Sequence, residues 1–408
     1  LFKRLMLESG APLVTERIEG VRSVSFGIWV KAGARFETPR NKGISHFLEH
    51  MSFKGTAKRS QKQIAFEIDS LGGDLNAFTS KESTVFYVKV LDEYIDRGVE
   101  LLIDIFLNSS FPPEEIEKEK GIVSEEIKMI EDTPDDYVHD LFNEFVWGES
   151  GLGYNILGSE ETVNSFNRTD LIDYRKRFYR LSNVVFSVAG NIDSGQISGL
   201  LEGLLPGEKG EPSPVALERP AFRKGVKVVT KDHAEVHLCM GVEGIAQSSP
   251  DRYAMLLLNT IMGSGVSSRL FQEIRERRGL AYTVYSYLTS YYDTGLFGVY
   301  VGTSERNYRE VMDLVRKEFV SFSETLTEDE LQRAKTHLRG NIILALESTS
   351  GRMNNIARQE IYYGRYFSPS EILNAIDSVT LQEMKDLAGR LFTDEGIATV
   401  LLGPVSGI

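Results

Sequence analysis

The sequence predicts an α+β protein made of two homologous α/β domains, each a mostly antiparallel sheet flanked by helices. Three observations carry that expectation. The chain has 408 residues, more than one ordinary hydrophobic core supports, so two domains of roughly 200 residues each are expected. Apolar patterning switches along it between a strand-like period of two and a helix-like period near 3.6. The second half then repeats the plan of the first at a spacing of roughly 210 residues, which implies a duplicated domain and not a solenoid.

Val21–Val30 alternates small polar and apolar residues and is rich in β-formers, the pattern of a half-buried strand. Gly33 and Ala34 end it. From Gly43 to Phe53 the spacing becomes helical, with His46, Glu49 and His50 sharing a face and Leu48 and Met51 supplying apolar contacts. Gln61–Leu71 reads as a helix closed by Gly72 and Gly73, and Thr84–Val90 as a strand. Tyr94–Asn108 and Glu114–Asp132 are helical, with Pro112 and Pro113 just before the second, where a fixed φ is tolerated. Val184–Gly190 has the composition of a buried strand.

Leu205–Val215 holds three prolines and two glycines, the composition of an interdomain linker. The expected organisation is therefore a first domain over 1–205, a linker over 206–220 and a second domain over 221–408. In the second half, Val236–Val242 reads as a strand, Arg252–Met262 as a helix, and Phe297–Val301 as a strand preceded by Ile274–Tyr282. Laying Met51 on Met262 puts Leu257, Thr260 and Ile261 where the first half has His46, Glu49 and His50. Those residues offer neither imidazole nor carboxylate, so of the two copies only the first is expected to be able to hold a metal on this face.

Apolar residues make up 41% of the chain and charged residues 26%, ordinary globular values that exclude a disordered or fibrous chain. A net charge of -13 argues against nucleic acid, whose phosphates need clustered Lys and Arg, and suits basic peptides. Cys239 is the single cysteine, so no intrachain disulfide ties the fold to an oxidising compartment. No apolar run approaches the roughly 18–20 residues of a membrane span. The opening residues lack a secretory apolar region and cleavage site. A bacterial-type cytoplasmic protein is expected, with the mitochondrial matrix or a processed exported form as alternatives.

Two histidines four residues apart on a helix can direct both imidazoles at one tetrahedral ion. Glu49, on the same face, can reach a metal-bound water without itself being a ligand and take its proton. No third histidine lies nearby, so the remaining ligand should be a carboxylate, and Glu117–Met129 offers several. Ile122, Val123, Ile127 and Ile130 mark an inward face there, with Glu126 and Glu119 close to its edge and Glu125 as the neighbouring alternative.

The His46-x-x-Glu49-His50 pattern, with Glu126 76 positions after His50, resembles the inverted zinc motif of the pitrilysin-type (M16) metallopeptidases. Arg35–Thr38, Phe53–Thr56, Asn76–Tyr87 and Leu270–Tyr282 resemble segments of the mitochondrial processing peptidase, in its catalytic subunit, and of its bacterial relatives. The likeness spans nearly the whole chain. It implies a zinc endopeptidase with one Zn2+ per chain held by His46, His50 and Glu126, Glu49 as general base, and Glu119 as a supporting carboxylate. It further implies that Arg275 and Tyr282 reach towards substrate, that Asn76, Ala77, Phe78 and Thr79 form an edge taking substrate as an added strand, and that Phe53 lines the pocket after the scissile bond. Asp136 and Asp140 fall where the mitochondrial enzyme binds an arginine upstream of the cut.

The resemblance implies a clamshell closing on extended, basic, unstructured peptides or presequences. The rival readings are a general oligopeptide-clearing peptidase and a non-catalytic core or adaptor subunit. With no long glycine-rich loop in the second half, a homodimer fits better than a catalytic subunit paired with a glycine-loop subunit.

Overall fold

A computed structural model describes residues 1–207 and 217–405 and resolves into two compact units. Most of the expected linker, residues 208–216, lies outside the described residues. The first unit is built on a mixed sheet of β1 (Phe2–Met6), β2 (Pro12–Arg17), β3 (Ser23–Val30), β4 (Asp74–Thr79), β5 (Thr84–Leu91) and β6 (Val184–Gly190), in the order β1-β2-β6-β3-β5-β4. Neighbours are antiparallel except β2 with β6.

The second unit has β7 (Gly225–Thr230), β8 (Val236–Glu243), β9 (Ala281–Ser290), β10 (Gly295–Thr303) and β11 (Ala398–Gly403), in the order β7-β11-β8-β10-β9. Only β7 and β11 are parallel. This sheet has the order and directions of β2-β6-β3-β5-β4, so the duplication read from sequence is a duplication of topology. β1 is an addition peculiar to the first sheet.

The units are not contiguous in sequence. The first takes in Leu1–Lys128, Tyr154–Glu218 and Leu344–Tyr366, and the second Met129–Gly153, Arg219–Ile343 and the segment from Phe367 onward. A helix of the first half, Pro134–Trp147, buries Val138, Leu141, Phe142 and Val146 with Cys239, Tyr300 and Val400 of the second sheet. A helix of the second half, Thr349–Tyr363, buries Ile356 and Ala357 with Val14, Trp29, Val85 and Val185 of the first. Each sheet is thus covered on one face by a helix encoded in the other half.

That exchange corrects the reading of β3. Its alternation predicted one face open to water, yet the strand is buried on both faces. Val24, Phe26, Ile28 and Val30 face the main core. The small polar face meets the Thr349–Tyr363 helix, where Ser25 Oγ lies 2.9 Å from Thr349 Oγ1 and 3.0 Å from Ser350 Oγ. Gly27 lets Met353 close on the strand, since a Cβ there would come within 2.9 Å of its sulfur. The small residues are a bed for a helix, not a wetted surface.

Ile356 is fully packed in this layer. Ile356→Ala is expected to lower the stability of the first unit by about 2–5 kcal/mol. The check is a lower urea midpoint, with the buried tryptophan Trp29 as the fluorescence reporter; an unchanged midpoint would remove this helix from the core.

Candidate metal centre

The motif helix, Ile44–Ser52, starts at Gly43, whose φ of 88° lies in the left-handed region. A Cβ at Gly43 would come 2.4 Å from the Leu157 carbonyl oxygen, so only glycine fits. Gly43 has no side chain to cap the helix, and Glu37 serves instead. Its Oε2 accepts the Gly43 N–H at 2.7 Å and its Oε1 the Ser45 N–H at 2.9 Å. Burial pushes the Glu37 carboxyl up to about 7, opposed by its bonds to Ser45 and Gly43 and by the charge of Lys81. Of the nine helical residues only His50 is not buried.

The facing helix, Pro113–Glu131, buries Ile116, Glu119, Val123, Ser124 and Ile127. Ile122, expected on the inward face, is 52% exposed, because it stands one residue, about 100°, off the stripe set by Val123 and Ile127. Glu125 also turns outward and pairs with Lys128 at 2.9 Å. Glu126 lies at the edge of the buried face and turns towards the histidines.

His46 Nε2 stands 3.8 Å and His50 Nε2 3.9 Å from Glu126 Oε2. These gaps are too long for hydrogen bonds and close to the ~3.4 Å edge of a tetrahedron with ~2.1 Å metal–ligand bonds. His46, His50 and Glu126 are the one group of three such donors that converges among the described residues, all within 4.8 Å of one another. Burial, with the neighbouring His50, pushes His46 down to about 3, against the charge of Glu119, so its imidazole is neutral, as a ligand must be. His46 Nδ1 is buried without a hydrogen-bond partner. For His50, burial lowers the pKa but the Glu119 bond and three carboxylate charges outweigh it, and the net direction is upward. Negative charge converges on this point, and the donor set fits zinc.

Around these donors lies a supporting layer. Glu119 Oε1 lies 2.8 Å from His50 Nδ1, and Glu119 Oε2 takes a 2.5 Å ion pair from Lys54. Burial raises the Glu119 carboxyl, but its bonds to His50 and Lys54 and their charge interactions bring it below its ordinary value. The arrangement fixes the His50 ring with Nε2 towards Glu126. Glu49 Oε2 accepts a 2.5 Å hydrogen bond from Thr79 Oγ1. Its pKa is raised, chiefly by burial. Lys54 and Glu37 were not singled out from sequence, although each lies within a segment quoted above for its resemblance, and Thr79 was expected on the substrate edge without its bond to Glu49.

Thr79 ends β4, the outermost strand on its side of the first sheet. Asn76, Ala77 and Phe78 lie on this edge, with Phe78 set edge-on to Trp29 at 6.0 Å. Phe53 closes the motif helix and packs at 6.1 Å from Phe86. The other expected site residues belong to the second unit. Arg275, in the π-helical segment Phe271–Arg277, stacks 4.6 Å over the Tyr282 ring and donates to the Tyr282 carbonyl at 2.9 Å. Tyr282 is 76% exposed. Asp136 and Asp140 stand one turn apart on the Pro134–Trp147 helix, the first exposed and the second half-buried.

Residues 13–160 match the model of the insulinase family (peptidase family M16), and residues 165–338 that of the peptidase M16 inactive domain. The chain is a member of the M16 peptidase family. The zinc protease YmxG of Bacillus subtilis is 40% identical over 99% of this chain and 98% of its own. The beta subunit of the mitochondrial-processing peptidase of Blastocladiella emersonii is 34% identical over 98% of this chain and 88% of its own. The fold matches a crystallised Helicobacter pylori protease with a TM-score of 0.89 at 21% identity, covering 99% of both chains. This M16 chain is a zinc protease, and the match named an inactive domain falls largely on the second half, outside His46, His50 and Glu126. No helix among its described residues is long and apolar enough to cross a membrane.

Glu119→Gln keeps the shape but removes the charge that holds His50. It is expected to weaken zinc binding about 10–100-fold, read by chelator competition and the metal content of purified protein. Wild-type affinity in that variant would deny Glu119 its supporting role.

Proposed function

We propose that this chain is a zinc endopeptidase of extended, unstructured and predominantly basic peptides. The observation that carries this reading is the contact between Glu49 and Thr79. It joins a carboxylate on the metal-bearing helix face to the end of an unpaired sheet edge. A peptide laid along β4 takes its main-chain hydrogen bonds from that edge. Its scissile carbonyl then lies beside Glu49, while a folded globule has no free strand to offer.

Zinc held by His46, His50 and Glu126 supplies Lewis acidity, polarising a carbonyl and acidifying water. Glu49 accepts the proton of the attacking water and returns it to the leaving amine. Its raised pKa suits both roles, since a base that is too weakly basic could not take the proton and one too strongly basic could not return it. Arg275 braces Tyr282, and we read its phenol as a hydrogen-bond donor to the developing oxyanion. Phe53 lines the pocket after the cut and favours a bulky apolar or aromatic residue there. Asp136 and Asp140, one turn apart, are read as the grip for an arginine upstream of the cut. The similarity to a mitochondrial-processing peptidase subunit supports presequence-like substrates. One zinc per chain and assembly as a homodimer complete the proposal.

Glu49→Gln is expected to lower peptide hydrolysis about a hundredfold or more while the protein keeps its zinc. Full activity in this variant would end the mechanism. Cut sites mapped by mass spectrometry in a mixed peptide library separate the processing enzyme from a general peptide-clearing one. In Asp136→Asn/Asp140→Asn, cuts with arginine upstream should fall about tenfold or more, as expected from losing a charge-assisted pair, with other cuts retained. Unchanged preferences would favour the clearing peptidase.

A further inference from the structure

The segment Arg35–Thr38 contributes nothing to the chemistry above, yet its Glu37 is only 7% exposed. Among the described residues eight helices begin on a local Ser, Thr, Asn or Asp side chain, at Ser60, Ser159, Asn167, Asp193, Thr327, Ser348, Ser368 and Thr380. The motif helix does not, because the close approach of Leu157 and Gly158 excludes any side chain at Gly43. Two N–H groups of its first turn are met by a carboxylate six and eight residues upstream. That carboxylate also places negative charge at the positive end of the helix dipole.

The same segment holds the neighbouring hairpin. Ala34 and Arg35 donate their N–H groups to the carbonyl oxygens of Ser80 at 3.1 Å and Lys81 at 2.7 Å, just past Thr79. Arg35 pairs with the buried Glu82 at 2.6 Å. A Cβ at Gly33 would stand 2.1 Å from the Ser80 carbonyl oxygen, so the backbones meet only because position 33 is glycine. A few consecutive residues therefore tie down both the helix that carries His46, Glu49 and His50 and the strand end whose Thr79 holds Glu49.

His46 is the third residue of the helix, inside the turn that Glu37 secures, whereas Glu49 and His50 lie one turn further on. We propose that Glu37 is a positioning residue of the metal centre, acting through the first helical turn to hold His46 at the coordination point. The inference rests on the assignment of His46 as a zinc ligand. It predicts a specific loss. Without Glu37 the His46 donor drifts, while β4 keeps its edge and its capacity to take up peptide.

Glu37→Gln retains the shape but sets an amide N–H2 against one of the two helix N–H groups. The experiment measures zinc affinity by chelator competition, thermal midpoint, and kcat and KM for a quenched peptide at saturating zinc. The control is Thr15→Val, which breaks the buried 2.8 Å hydroxyl pair between Thr15 and Ser194 in the same unit. Glu37→Gln should weaken zinc binding about 10–100-fold and lower kcat about tenfold, with KM within about twofold of wild type. Thr15→Val should lower the thermal midpoint and leave zinc affinity alone. If Glu37→Gln does not fold, Glu37→Asp, which keeps the charge but shortens the reach, should show the same pattern about threefold to tenfold in zinc affinity. Wild-type zinc affinity in the folded Glu37 variant, or an equal loss in Thr15→Val, overturns the inference. A wild-type protein that cleaves no peptide, yet loses zinc on Glu37→Gln, would instead refute the peptidase reading and leave this one standing.

Discussion

The burial of a nine-residue helix that carries two imidazoles and a carboxylate is the constraint from which the rest of this site follows. A polar group taken out of water must find a partner or cost about 1–3 kcal/mol. Along Ile44–Ser52 the partners are supplied one at a time from distant elements: Tyr174 for Ser45, Thr79 for Glu49, Glu119 for His50 and Glu37 for the opening N–H groups. One buried atom, His46 Nδ1, is left unmatched. The Nε2 atoms of both histidines point instead at Glu126, at distances no hydrogen bond spans.

The duplicated copy shows the same helix without that constraint. Arg252–Gly263 packs beside β9 as the motif helix packs beside β4, but Leu257 and Ile261 bury hydrocarbon where the first copy has its histidines. Thr260 satisfies its hydroxyl within its own helix, at the Leu256 carbonyl, 2.9 Å away. No remote carboxylate is called on. The second unit keeps the scaffold, and Arg275 stacks over Tyr282 of its own edge strand, β9, at 4.6 Å.

The exchange of helices between the halves has a physical rationale in the sheets. A sheet whose central strands are apolar on both faces needs cover on both. In each unit one face is covered by helices of its own half, and the other by Pro134–Trp147 or Thr349–Tyr363 from the opposite half. Neither helix is dispensable to a sheet it does not follow in sequence. The strand Ser23–Val30 could therefore not reveal its own burial, because the helix that buries it begins more than three hundred residues later.

What the sequence by itself determined is local or repetitive. Helical spacing placed His46, Glu49 and His50 on one face, alternation marked β3, and runs of β-forming apolar residues marked β5, β6, β8 and β10. The recurrence of the plan exposed the duplication, and Leu257, Thr260 and Ile261 showed that the second copy does not repeat the His-Glu-His face. Spacing put Glu126 at the edge of the inward face and the resemblance implied it as the ligand, and the tertiary structure turns Glu126 towards the histidines and Glu125 outward to Lys128. Only it joined Thr79 to Glu49, Lys54 to Glu119 and Glu37 to the first turn of the motif helix. A helix face is written in the order of residues. The partner that satisfies a buried charge is decided by which distant element the packing brings within about three ångströms, and no local pattern records that distance.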